Sequence, residues 1–167
     1  MPLPTPERLA HHEAGHAVVQ HWISQGRFRV TRVALDTDGA QVAGSSLIDQ
    51  EVSLGLYHFG LVTLAGIAAE NRYFDEHPAP EGERWGAVGD IEEWMSVASD
   101  VLEERAKVEL VTGNVMRRLA DFFQQQGTWS AVSELAQLLL AEGVAEGERL
   151  QIILQRQREN AGQQNTA

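Results

Sequence analysis

The sequence predicts a mainly α domain of the α+β class, a helical domain with a small β-ribbon after its first helix. Three observations carry this reading. Apolar residues recur at helical spacing through most of the 167 residues. One stretch, "RFRVTRVALDTDGAQVAGSSLI", has the β-branched content and central turn signal of two paired strands. A hydrophobic share of 43% suits a core in a chain of single-domain length.

The elements follow in order. "TPERLAHHEAGHAVVQHWISQG" reads as a helix with Thr5 as cap, Pro6 at the first helical position and Gly26 as terminator. The ribbon comes next. "EVSLGLYHFGLVTLAGIAAENRYF" is apolar nearly all round and reads as one buried helix, with Asp49 as its cap. "DEHPAPEGERWGAVG" is a polar Pro/Gly loop. "DIEEWMSVASDVLEERAK" places Ile91, Trp94, Met95, Ala98 and Leu102 at helical spacing, with Asp90 at its start. Further helical patterns centre on Val115–Phe123, Ser130–Leu140 and Gly147–Gln157. No repeat or linker interrupts them, so the expected organisation is a tail over 1–5, one domain over 6–158 and a polar, flexible tail over 159–167. Trp22, Trp94 and Trp129 read as packing residues, and "EGERLQ" and "LEERAK" as solvated helix faces.

Composition narrows the function. A formal charge of −11 leaves no basic surface to neutralise phosphates, so nucleic acid is not an expected partner. The absence of cysteine excludes disulfides, thiolate metal sites and a cysteine nucleophile. It also fits a reducing compartment. No signal-peptide pattern opens the sequence, and the longest apolar run, Phe59 to Ala69, falls short of the about 20 residues that span a bilayer. The expectation is a soluble, acidic, cytoplasmic protein without a transmembrane segment.

The first helix carries the chemistry. With Leu9 at 0° and about 100° per residue, His12 falls at about −60°, His16 at about −20°, Val19 at about −80°, Ile23 at about −40° and Glu13 at about +40°. The two histidines therefore share the face with the large apolar residues, and His21 lies on the opposite side from His12. A buried imidazole without a partner costs about 1–3 kcal/mol. His-Glu-x-x-His on a helix supplies a common partner. Its imidazoles stand one turn apart and can reach one metal ion, and the intervening Glu13 can act as general base on the water the ion activates. A bare match arises by chance in about one such chain in fifty, so the capped helix and the apolar face are what give it weight. A catalytic zinc needs a third protein ligand. The longer pattern with a third histidine is absent, since Val19 and Trp22 stand where its Gly and His would be. His58, His77, Glu70 and Asp90 are candidates by type, and spacing alone does not choose among them.

Three stretches, "HEAGHAVV" (His12–Val19), "LAGIAAE" (Leu64–Glu70) and "GAVGDIEEWMSVA" (Gly86–Ala98), resemble the proteolytic domain of the FtsH-type ATP-dependent zinc metalloproteases. "LAQLLLAEGVAEGERL" (Leu135–Leu150) is similar to that family's closing helices, and the resemblance covers roughly residues 7–156. It implies a zinc ion held by His12, His16 and Asp90, with Glu13 as base and Glu70 as a candidate to orient a ligand. The other reading of Glu70 is a helix-end carboxylate paired with Arg72 or a backbone donor. The chain departs from the family's pattern at His11, where an aromatic is usual, at Gly89, where a polar residue usually precedes the aspartate, and in the loop containing Trp85. It contains no Gly-x-x-x-x-Gly-Lys-[Ser/Thr] loop for a nucleotide and no membrane anchor.

The resemblance thus implies a zinc metallopeptidase that cuts unfolded or extended polypeptides, and the absence of a nucleotide loop implies that it gains nothing directly from ATP. A separate ATPase partner would have to supply folded substrates in threaded form. Arg27–Leu35 is the expected strand edge for an extended peptide. The family assembles as rings, and exposed aromatics on the last helices would serve a homo-oligomer. The alternatives are a non-catalytic module of the same shape that binds or regulates a partner protein, and a purely structural helical domain without metal. Glu13 favours the enzyme, because a scaffold has no physical need for it.

Overall fold

The computed structural model describes residues 5–24, 30–36, 39–43, 47–78 and 88–164. The expectations for Gly26, for 27–29 of the expected strand edge, for the turn residues 37–38, for 44–46 of the returning strand, for 79–87 of the Pro/Gly loop, Trp85 included, and for 1–4 and 165–167 of the tails lie outside these residues. The fold is mainly α, as expected, with a small antiparallel sheet after the first helix.

Helix α1 spans Pro6–Ser24. Thr5 starts it as the cap: its Oγ1 accepts the Arg8 N–H at 3.3 Å and its carbonyl accepts the Leu9 N–H at 3.0 Å. The helix runs through the middle of the molecule rather than along its surface. Ala10, Ala14, Ala17, Val18 and Val19 are fully buried, and so nearly are His12, Glu13, Gln20 and His21. Leu9 and Ile23, which anchor the apolar face on a helical wheel, are only half-buried. The expectation of a single apolar face therefore gives way to burial nearly all round. Small side chains explain this, because they let neighbouring helices close on faces that a wheel scores as weakly apolar. Gly15 is the tightest case: a Cβ there would stand 2.5 Å from Ala69 Cβ.

Strand β1 (Arg32–Asp36) pairs antiparallel with β2 (Gly39–Ala43), from Arg32 opposite Ala43 to Asp36 opposite Gly39. A third strand, β3 (Val144–Glu146), takes the other edge of β1, with Arg32 opposite Glu146 and Ala34 opposite Val144. The sheet order is β2-β1-β3. This corrects the expectation of β1 as a platform for an extended peptide. Over Arg32–Ala34 both of its edges already carry strands, and the outer edges belong to β2 and β3.

The segment expected as one buried helix is two. Helix α2 (Leu47–Thr63) begins two residues before Asp49, the expected cap, and is kinked at Gly55, whose φ is 75°. After an interruption at Leu64, α3 (Ala65–Glu76) continues and packs along α1. Helix α4 (Val88–Leu102) begins two residues ahead of Asp90, placing that aspartate in its first turn. Trp94 pins α4 to α5 (Arg105–Gln124): it is 1% exposed, and its Nε1–H donates to Thr112 Oγ1 at 2.8 Å. Helix α6 (Gln126–Glu142) covers another side of α1, and α7 (Gly147–Gln164) closes over α6, running past the expected domain edge at residue 158. The tryptophans pack as expected, with Trp22 stacked on Phe122 at 3.9 Å and Trp129 under the Arg72 guanidinium. Among the described residues, no helix is long and apolar enough to cross a membrane.

Candidate metal centre

Three elements bring the centre together. Helix α1 presents His12, Glu13 and His16 on consecutive turns. The first turn of α4 brings Asp90 opposite them, and α3 brings Glu70 behind His12. The His16 Nε2 lies 3.0 Å from His12 Nε2 and 3.1 Å from Asp90 Oδ2, and His12 Nε2 lies 3.0 Å from the same Asp90 oxygen. Glu13 Oε1 stands 3.7 Å from His12 Nε2.

The far side of each imidazole is occupied. His16 Nδ1 lies 2.8 Å from the Val62 carbonyl, which can only accept, so Nδ1 carries the proton. His12 Nδ1 donates to Glu70 Oε1 at 2.6 Å. With Nδ1 protonated in both rings, Nε2 is the atom of each that faces the centre, and it offers a lone pair once it carries no second proton. Two imidazole Nε2 atoms and a carboxylate oxygen thus converge, an arrangement that favours positive charge between them, as a proton on Nε2 or as a metal ion. Donors on a tetrahedral shell of about 2.0–2.1 Å radius stand about 3.3–3.4 Å apart. The three here need to spread by only a few tenths of an ångström to fit. His12, Glu13 and His16 offer ligand atoms that all lie within 4.8 Å of one another, so this group could hold a metal ion.

Without an ion, the electrostatics place the positive charge on His12 as a second proton, which a metal ion would have to displace. Burial opposes charge on His12, but hydrogen bonds to Asp90 and Glu70 outweigh it, and its pKa is pushed up to about 10. Burial works against the Asp90 carboxylate as well, yet His12 and His16 hold it well below the usual range. Burial raises the pKa of Glu13 despite the opposing pull of His16 and His12, which moves this carboxyl toward the range of a base. Side-chain exposure grows from 9% at Glu13 and 10% at His12 to 15% at His16 and 26% at Asp90, so the centre opens on the Asp90 side.

Of the four candidates for a third partner, the structure brings in Asp90 directly and Glu70 from behind. His77 is exposed, stacks on Tyr73 at 4.4 Å and donates to the Tyr73 carbonyl. The His58 ring lies beside Tyr57, with centroids 6.0 Å apart. Glu70 does not pair with Arg72, whose guanidinium goes to Glu76 at 2.6 Å. Its second partner is Arg8, by an ion pair buried on both sides. Compared with models of known protein families and with curated proteins, the chain matches none.

Sequence reasoning missed Arg8, the Val62 carbonyl and Gly66. Arg8 is four residues before His12, a spacing that places both on one side of α1. Gly66 has a clearer physical reason: a Cβ there would overlap the His12 ring at Cε1 and Nε2. Gly66→Ala is expected to swing His12 off its aim and to weaken metal binding by about 10–100-fold, the range seen when a ligand loses its orientation. Competition with a chromophoric chelator measures this, and an unchanged affinity would mean that the ring has room to move.

Proposed function

We propose that this chain is a zinc metallopeptidase similar to the proteolytic domain of the FtsH-type proteases, with His12, His16 and Asp90 as metal ligands and Glu13 as general base. The observation that carries the reading is the meeting of two imidazole Nε2 atoms and Asp90 Oδ2 at 3.0–3.1 Å, with a buried carboxylate beside them. Two nitrogens and one carboxylate oxygen are a donor set that zinc accepts, leaving a fourth position for water or substrate. When bound, zinc polarises a carbonyl and lowers the pKa of water.

The chain's own residues do the rest. Glu13 takes a proton from the attacking water and returns it to the departing amine. Glu70 and the Val62 carbonyl hold the two imidazoles with Nδ1 protonated and Nε2 directed at the centre. Unfolded or extended polypeptides are the proposed substrate, as the resemblance implies. A separate ATPase would be the partner that presents folded proteins, and a cytoplasmic site of action fits the cysteine-free composition.

Digestion of unfolded casein by the purified protein tests this. Cleavage should depend on zinc, stop with a chelator, and run at one rate with and without ATP–magnesium. A protein that holds zinc but leaves casein and short peptides intact would instead be a binding module of the same shape.

A further inference from the structure

Arg8 lies one helical turn before His12 and is 5% exposed. Its Nε–H donates to Glu70 Oε2, and the other oxygen of that carboxylate accepts from His12 Nδ1 at 2.6 Å. The Arg8 guanidinium rests over the Phe74 ring, 5.3 Å from its centroid. A buried line of contacts therefore runs from Arg8 through Glu70 to His12, and ends where His12 Nε2 meets His16 and Asp90.

We propose that Arg8 is a positioning residue of the metal centre: by holding one oxygen of Glu70 it aims the other at His12 Nδ1, and so fixes the ring plane and the tautomer that direct Nε2 at the ion. This rests on the metal-centre reading given above. A buried carboxylate needs a paired charge to stay where it is. Arginine suits the task because its planar guanidinium gives directed N–H donors, whereas a lysine ammonium holds an oxygen without fixing its direction. Without Arg8, Glu70 keeps a single anchor, His12 itself, and is free to turn with the ring it is meant to hold.

The measurement is zinc affinity by chelator competition, with the melting temperature read in parallel. Arg8→Met should bind zinc about 10–100-fold more weakly than the parent, the usual cost of removing a partner that orients a ligand. Arg8→Lys should fall between the two. Glu70→Gln should weaken binding too, and adding Arg8→Met to it should cost little more, because the route through Glu70 is already broken. A purely structural ion pair predicts otherwise: Arg8→Met would melt lower yet bind zinc as tightly as the parent, or its loss would add in full to that of Glu70→Gln. Either result overturns the proposal and leaves the metal centre standing. If Arg8→Met does not fold, Arg8→Lys decides, and an affinity equal to the parent's overturns the proposal. A parent protein that binds no zinc overturns the metal-centre reading and this inference with it.

Discussion

Glu13→Gln is expected to keep its fold and its zinc and to lose about 10²–10⁴-fold in the rate of peptide hydrolysis, the usual size of a general-base contribution. The exchange is nearly isosteric and removes only the basic oxygen. Glu13 is 7% exposed, so a change of shape there would disturb packing, whereas glutamine fills the same space. Its carboxylate oxygen stands 3.7 Å from His12 Nε2, close enough to serve as base or as ligand, so unchanged zinc content in Glu13→Gln is what separates the proposed base from a ligand. Burial raises its pKa above the ordinary carboxylate value, against the pull of His16 and His12. Turnover of a fluorogenic peptide beside zinc content, on the same preparation, makes the comparison. A fully active Glu13→Gln protein would remove Glu13 from the mechanism.

Asp90→Ala is expected to lose most of its zinc. Asp90 is the only residue described here whose oxygen reaches both His12 Nε2 and His16 Nε2, at 3.0 and 3.1 Å. Without it two imidazoles remain from the proposed ligand set, and the anionic partner that offsets the charge of the ion is gone. The loss should exceed the about 10–100-fold expected for residues that only orient a ligand, Glu70 among them. Zinc affinities of Asp90→Ala and Glu70→Ala, compared directly, test the order. The reverse order, with Asp90→Ala retaining full affinity and Glu70→Ala losing it, would show that the third ligand has been misassigned.

Much of this arrangement was legible in the residues. The cap at Thr5, the helical spacing of His12 and His16 and the β-ribbon all follow from local chemistry, and each is present. The partner of the two histidines was not. Asp90 is far from them in sequence, and only the resemblance of "GAVGDIEEWMSVA" singled it out from His58, His77 and Glu70. Strand β3 escaped because three residues between two helices, Val144–Glu146, carry no alternation to read. The division of α2 from α3 escaped because the apolar pattern runs unbroken through Leu64. The central position of α1 escaped because much of its buried surface is Ala10, Ala14, Gly15 and Ala17, residues whose importance lies in their smallness. Nothing in the sequence alone assigns Arg8 a role. Its role depends on Glu70, and that pairing belongs to the tertiary structure rather than to either stretch of sequence.

The central claim is that His12, His16 and Asp90 together hold one zinc ion. It is tested most directly by elemental analysis of the protein, purified without chelators and then equilibrated with zinc and freed of excess metal by gel filtration. The account predicts about one zinc per chain, falling to little or none when His12 and His16 are both replaced by alanine in a protein that still folds. A folded parent protein that carries no zinc after this treatment, or a doubly substituted one that carries as much as the parent, would contradict it.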